Sequence, residues 1–366
     1  MRLVVVGNPD NRRVRLFTEA ARAAGLAPPA VLAWRDLLDG APPPAAGSLV
    51  RVDSPGEDAE VDRLLRGAAE PAAHGEIVGL AAWYAGLCRA LDRLAGGGAT
   101  LLNQPADVAT MCDKRRCHAL LDAAGVPVPA AVPPVAGYGE LRAAMREAGW
   151  ARVFVKPAHG SSASGVLALA VNGSRVQATT SVESADGRLF NSLRVRRYDS
   201  EAEVAAIVDR LAPDGLHVER WLPKAGLDDR IVDVRVVVVA GRPSHAVVRA
   251  SRGPVTNLHL GNARGDLARL RAAAGPASWA AAMETCVRVA ACFPRTLHVA
   301  VDLMFLVGWR RHAVAEVNAF GDLLPGVLAD GRDPYGEQVH ALLSGRYDDW
   351  CARAATPREA EASCAT

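Results

Sequence analysis

Apolar residues fall into two rhythms along this chain. Short, nearly continuous apolar runs such as RLVVV (residues 2–6), VRVVVV (234–239) and HVAVDLMF (298–305) are predicted to be buried strands. Longer stretches repeat their apolar positions every three to four residues and are predicted to be helices, at Asn11–Ala24, Asp58–Ala69 and Gly79–Leu94. With further strands at Val31–Trp34 and Leu49–Asp53, strand and helix alternate through the first hundred residues, the pattern of an open α/β layer. Gly96-Gly97-Gly98 marks the exit from that unit.

Beyond it the order changes. Helices are predicted over Asp107–Ala124 and Tyr138–Ala148. The strand Arg152–Lys156, a Gly/Ser loop (159–165) and a return strand VLALAV form a hairpin with little side chain at its tip. Strands at Arg175–Ser181 and Leu189–Arg196 extend that sheet, and a helix covers Ser200–Leu211. LHVERWLP (216–223) reads as a strand stopped by Pro223. Strands Val232–Val239 and Ala246–Ala250 turn at Gly241-Arg242-Pro243. A helix over Ser278–Phe293 leads to a strand pair from His298 onward, and a last helix spans Pro334–Leu343. The tail from 351 to 366 is expected to be disordered.

Composition narrows the classes. A chain of 366 residues with half its positions hydrophobic is long enough for two or three domains. A formal net charge of +2 gives no bulk attraction to nucleic acid or membrane. No apolar run reaches the roughly 20 residues that span a bilayer. The start, MRLVVVGNPD, is broken too soon to read as a signal peptide, so a cytoplasmic location is expected. Seven cysteines without a CxxC argue against both a disulfide framework and a zinc site. Of 42 basic residues only Lys114, Lys156 and Lys224 are lysine, and a retained lysine suits a crowded phosphate that the planar guanidinium does not fit. Lys224, just after Pro223 in a polar loop, is read as solvated.

The chemistry centres on HVAVDLMFLVGWRRHAVAEVNAFGDLLPG (298–326). Glu316 and Asn318 are two apart and share one face of a strand, and Asp302 joins them if the two strands pair antiparallel across Val307–His312. Three hard oxygen ligands on one face suit Mg2+. Gly7 lies outside any GxGxxG, and the Gly/Ser loop has no GK[ST], so neither a dinucleotide fingerprint nor a Walker loop is present.

Taken in order, Lys114 after NQP, Lys156 before the Gly/Ser loop, VERWLP, DVR, Arg249, NLH and Asp302 with Glu316-Val317-Asn318 resemble the ATP-grasp superfamily. The resemblance is to its carboxylate–amine ligases of the ribosomal-protein glutamate ligase, glutathione synthetase and D-alanine ligase types, over roughly residues 100 to 343. It implies an N-terminal Rossmann-like α/β domain (1–103) followed by an ATP-grasp fold of two α+β subdomains (104–222 and 223–350) that clasp ATP. It also implies contacts from Lys114 and Lys156 to phosphate, under a lid that includes Gly160, Ser161 and Ser162. Glu219, Trp221 and Leu222 match the adenine hinge. Asp233 matches an acid near the ribose, with Asp228 and Asp229 as competitors. Arg235 and Arg249 match catalytic residues facing the transferred phosphate. Asn257 and His259 match an acceptor loop. Asp302, Glu316 and Asn318 match ligands of one or two Mg2+, or of Mn2+.

The activity implied is an ATP-dependent joining of a carboxylate to an amine through an acyl phosphate, on small-molecule or peptide substrates. Dimers are common in the family, which extends the expectation of a homodimer to this chain. After Asn318 the sequence runs Ala319-Phe320-Gly321-Asp322 rather than the Ser-Pro-Gly of several ligases, so the acceptor is not carried over. Asn-Ala-Phe also resembles ATP-grasp inositol phosphate kinases, and a phosphotransferase acting on a hydroxyl is the rival reading. Arg194, Arg196 and Arg197 are candidates for the basic acceptor pocket such a kinase needs, although their alternation on a strand suggests a solvated face. A non-catalytic nucleotide-binding module is the third reading.

Overall fold

The computed structural model of the chain describes residues 1–160, 163–256, 262–320 and 324–355. Its first unit is a parallel sheet with helices. β1 (Arg2–Gly7) is buried from Leu3 onward and leads into α1 (Arg12–Ala23), which Asn11 caps by accepting from Arg13 N. β2 (Ala30–Ala33) passes directly into α2 (Trp34–Leu38), so Trp34 starts a helix rather than ending a strand; its indole N–H donates to the Asp53 carbonyl in the core. β3 (Ser48–Val52), α3 (Ala59–Arg66), α4 (Leu80–Ala95) and β4 (Thr100–Leu101) complete the unit, with strand order β2-β1-β3-β4, all parallel. Helices α3 and α4 touch where Gly86 lies: a Cβ there would come within 2.0 Å of the Leu65 carbonyl oxygen.

The helix expected over 107–124 is two helices. α5 (Pro105–Met111) stops at Cys112, and α6 (Lys114–Ala123) starts afresh because the Asp113 carboxylate accepts from Arg115 N and Arg116 N. Lys114 is thereby the first residue of a helix instead of an interior one. α7 (Tyr138–Glu147) then leads into an antiparallel sheet. It contains β5 (Arg152–Pro157), β6 (Leu167–Asn172), β7 (Arg175–Ala185), β8 (Arg188–Tyr198) and, after α8 (Glu201–Leu211), β9 (Leu216–Arg220), in the order β8-β7-β6-β5-β9. The alternating burial of β5 sends Val153 and Val155 into one core, against α7 and α8, and turns Phe154 and Lys156 to the opposite face.

A second antiparallel sheet follows. β10 (Gly226–Leu227) pairs with one end of β11 (Arg230–Val239), which pairs with β12 (Arg242–Ser251); β13 (Ala263–Gly265) forms the edge. α9 (Leu267–Ala291) starts eleven residues before the helix expected at Ser278 and is interrupted at Gly275, whose φ of 73° and ψ of 160° break the turn before Pro276. β14 (His298–Phe305) is buried at every position in the middle of this sheet, between β11 and β15 (His312–Asn318).

α10 (Pro334–Leu343) and α11 (Arg346–Ala355) end the described chain. α11 corrects the expectation of a disordered tail from 351, since helix continues to Ala355. Tyr347 is buried, and Trp350 packs over Gly241, where a Cβ would meet the ring at 2.3 Å. The first sheet docks on the back of the last one: Leu3, Val5 and Phe17 share a core with Val237, Val239, Tyr335 and Val339. At that junction Arg51 is fully buried between the rings of Phe17 and Tyr335, with Nη1 on Asp53 (2.8 Å) and Nε on Gln338 (3.1 Å).

Candidate active site

The two antiparallel sheets face one another across a cleft lined from both sides. On the larger sheet, β14 and β15 pair antiparallel with Asp302 opposite Glu316 and Ala300 opposite Asn318. The pairing then slips by one, leaving Ala315 as an extra residue, a bulge beside the acids. Asp302, Glu316 and Asn318 all line the cleft. Two carboxylates and one amide are a partial shell of hard oxygens; among the described residues no cluster of three or more His, Cys, Asp or Glu gathers to hold a metal. Such a shell fits an ion that keeps water and phosphate oxygens in its coordination sphere, as Mg2+ does, and does not fit a closed nitrogen–sulfur zinc site.

Two lysines face these acids. Lys114 Nζ lies 3.0 Å from Glu316 Oε1 and donates to the Gly160 carbonyl at 2.5 Å. Lys156, near the end of β5, lies 2.5 Å from Glu219 Oε1 on neighbouring β9 and donates to the bulged Ala315 carbonyl at 3.4 Å. His217 Nε2 is 3.2 Å from the other oxygen of Glu219. Burial acts to raise the Glu219 carboxyl, but the Lys156 ammonium and His217 overrule it and hold it down to about 2. Before the Gly/Ser loop, His159 stacks on Tyr84 with ring centres 4.0 Å apart, tying the loop's start to α4.

Two arginines bind Asp302. Arg235 forks onto Asp302, Nε to Oδ1 at 2.7 Å and Nη2 to Oδ2 at 2.8 Å, and Arg249 Nη1 adds a third bond to Oδ2 at 3.1 Å. Burial alone would raise the Asp302 carboxyl; the two guanidiniums hold it far below the ordinary carboxylate range. Arg249 Nε also donates to Asp233 Oδ1 at 2.6 Å. The other Asp233 oxygen takes Lys224 Nζ at 3.1 Å and the Thr256 hydroxyl. Lys224 is therefore not solvated: it is nearly buried and lines the cleft, because Asp233 and Thr256 draw it inward.

Most of the residues singled out from sequence converge here, and a few do not. Gly160, Glu219 and Leu222 line the cleft. Trp221 is not among the lining residues; its ring packs on Phe154 (5.3 Å) with Arg152 above it. Asp228 and Asp229 are exposed partners of Arg269 and Arg252, which leaves Asp233 as the acid of the three that faces the cleft. Arg196 and Arg197 pair with Glu183 and Asp199 on the surface of β8, away from the cleft. Ser161, Ser162, Asn257 and His259 lie outside the described residues. Phe154, Met304 and Thr256 also line the cleft and were not read from sequence. Phe154 and Lys156 alternate on one strand, as do Asp302 and Met304, and that period of two was the signal for both apolar residues.

No family model matches the sequence, and no curated protein matches it. Solved structures do. The chain is similar to the D-cycloserine synthetase DcsG at 17% identity and TM-score 0.57, over 94% of this chain and 100% of that one. It is similar to the ATP-grasp ligase PsnB complexed with its minimal precursor at 19% identity and TM-score 0.54, over 94% and 99%. It is similar to the macrocyclase MdnC bound with precursor peptide MdnA from Microcystis aeruginosa MRC at 12% identity and TM-score 0.54, over 94% and 100%. The chain has the ATP-grasp fold that its residue order resembles.

Proposed function

We infer that this chain is an ATP-dependent ligase that joins a carboxylate to an amine through an acyl phosphate, releasing ADP and phosphate. One observation carries the reading: Lys114, Lys156, Asp302, Glu316 and Asn318 line a single cleft together with Arg235 and Arg249. Phosphoryl transfer needs neutralised charge and aligned reactants more than covalent help from the protein, and this constellation offers both.

In this reading Leu222, Phe154 and Met304 pack the base, and the backbone after Glu219 fixes its edge. Lys114 and Lys156 place fixed ammonium groups against the phosphates, beneath the loop that starts at Gly160. Asp302, Glu316 and Asn318 would hold Mg2+, and the ion would supply positive charge to offset that of the phosphates. A carboxylate oxygen of the substrate attacks the γ-phosphorus as the bond to ADP breaks. The amine nitrogen then attacks the acyl carbon, phosphate leaves, and the nitrogen gives up a proton. Arg249 and Arg235 are assigned as the donors to the charge that develops on the carbonyl oxygen.

Asp302 accepts three bonds from the two guanidiniums, only one of them at Oδ1, so a lone pair there would remain for the ion while the arginines hold the carboxylate in place. Asn257 and His259 are assigned to the acceptor side, and a homodimer is the proposed assembly. PsnB and MdnC were solved with precursor peptides, so peptide carboxylates belong beside small acids in the substrate search. The test is ADP release from Mg·ATP with a panel of carboxylates and hydroxylamine. A hydroxamate is the expected product. A phosphorylated alcohol without hydroxamate would replace the ligase by a phosphotransferase.

A further inference from the structure

The chain has three lysines among 42 basic residues, and all three line the same cleft. Their surroundings repeat. Each ammonium has one carboxylate and one neutral oxygen as partners: Glu316 and the Gly160 carbonyl for Lys114, Glu219 and the Ala315 carbonyl for Lys156, Asp233 and the Thr256 hydroxyl for Lys224. An ammonium carries three N–H donors, so each keeps one uncommitted among the described residues. A guanidinium has five donors in a rigid plane, and one carboxylate oxygen with one hydroxyl cannot satisfy it at the place Lys224 occupies.

Lys224 stands between the two ends of the cleft. It follows Leu222 by two residues and bridges to Leu306, beside Met304, at the apolar end. Its acid, Asp233, shares Arg249 with Asp302 at the charged end. A nucleotide with its base on Leu222 and Met304 and its phosphates near Lys114 and Lys156 puts its sugar between them. We propose that Lys224 is a third nucleotide-binding lysine, donating its remaining N–H to a ribose hydroxyl oxygen. The assignment rests on the ATP-dependent reading above.

The test measures binding of Mg·AMPPNP, its 2′,3′-dideoxy analogue and Mg·tripolyphosphate by calorimetry to wild type, Lys224→Met and Lys224→Arg. Wild type should bind AMPPNP about tenfold more tightly than the dideoxy analogue, the worth of a hydrogen bond from a charged donor. Lys224→Met should lose that preference, binding both alike, and Lys224→Arg should not restore it. Tripolyphosphate, which reaches only the charged end, should bind wild type and Lys224→Met equally. A variant that weakens AMPPNP and tripolyphosphate together would reduce Lys224 to a structural part and overturn the proposal. Equal affinity of wild type for AMPPNP and the dideoxy analogue would overturn it without any variant. Absence of AMPPNP binding to folded wild type would instead sink the ATP-dependent reading on which the assignment stands.

Discussion

Replacing Glu219 by glutamine keeps its shape and removes its charge, and the structure sets the size of the effect. The Glu219 side chain is buried, its Oε1 is 2.5 Å from the Lys156 ammonium, and its carboxyl is held down to about 2 from an ordinary 4.5. At about 1.36 kcal/mol per pKa unit, that difference is worth about 3 kcal/mol of folding stability. Cutting one partner from a buried pair is worth about 3–5 kcal/mol in general, which agrees. A depressed carboxyl contributes fully above its unfolded value of 4.5 and loses the contribution as pH falls through its folded value. The gap between wild type and Glu219→Gln should therefore be about 3 kcal/mol at pH 7, stay nearly constant to about pH 5, and narrow only below about 4.5. Urea unfolding at stepped pH, with amide exchange of β5 and β9 as the local probe, measures it. A gap under about 1 kcal/mol at pH 7 would refute the argument, because Glu219 would then titrate as an ordinary carboxyl; one that closes between pH 7 and pH 5 would refute it too, because the group responsible would then titrate above 4.5.

Three further outcomes are expected. Mg·ATP at 100 times its Kd should stabilise wild type by about 2.7 kcal/mol, and the thermal shift should need the metal and shrink in Glu316→Ala; an equal shift in the variant would remove Glu316 from the site. Arg249→Met leaves Asp233 Oδ1 and one bond to Asp302 without a cation and should cost about 3–5 kcal/mol in denaturant unfolding, whereas Arg252→Met, at an exposed pair with Asp229, should cost under about 1. Gly86→Ala drives a methyl into the Leu65 carbonyl and should lower stability by about 1–3 kcal/mol or force α3 and α4 apart; an unchanged melting curve would contradict the close approach.

The strand pair that carries the acids was legible because its rhythm is unbroken: HVAVDLMF admits no helix period, and Glu316 and Asn318 fall two apart. Lys156 and the acids were legible for the same reason, since motifs on strands keep their spacing, whereas Lys114 starts a helix. What escaped depended on contacts between distant segments. The break at Cys112–Asp113 is invisible to an apolar period that continues across it, although Asp113 is a strong cap. Lys224 looks like a loop lysine until Asp233, nine residues on, and Thr256, thirty-two on, close around it. Trp221 was matched to the hinge with Glu219 and Leu222; that its ring packs on Phe154 with Arg152 above it depends on β5, some seventy residues back. α11 escaped because its buried side chains find partners in β12's turn and in α10, far back in the chain.

The scarcity of lysine has a practical side. Within residues 1–366, amine-directed reagents meet side-chain ammonium groups only at the three lysines, each about a tenth exposed and already in an ion pair. A dye or surface coupled through these lysines will thus enter the cleft and spoil it. Labelling of these three lysines, read by peptide mass, then becomes an occupancy gauge: untagged lysines report a filled cleft, and tagged ones report an open one.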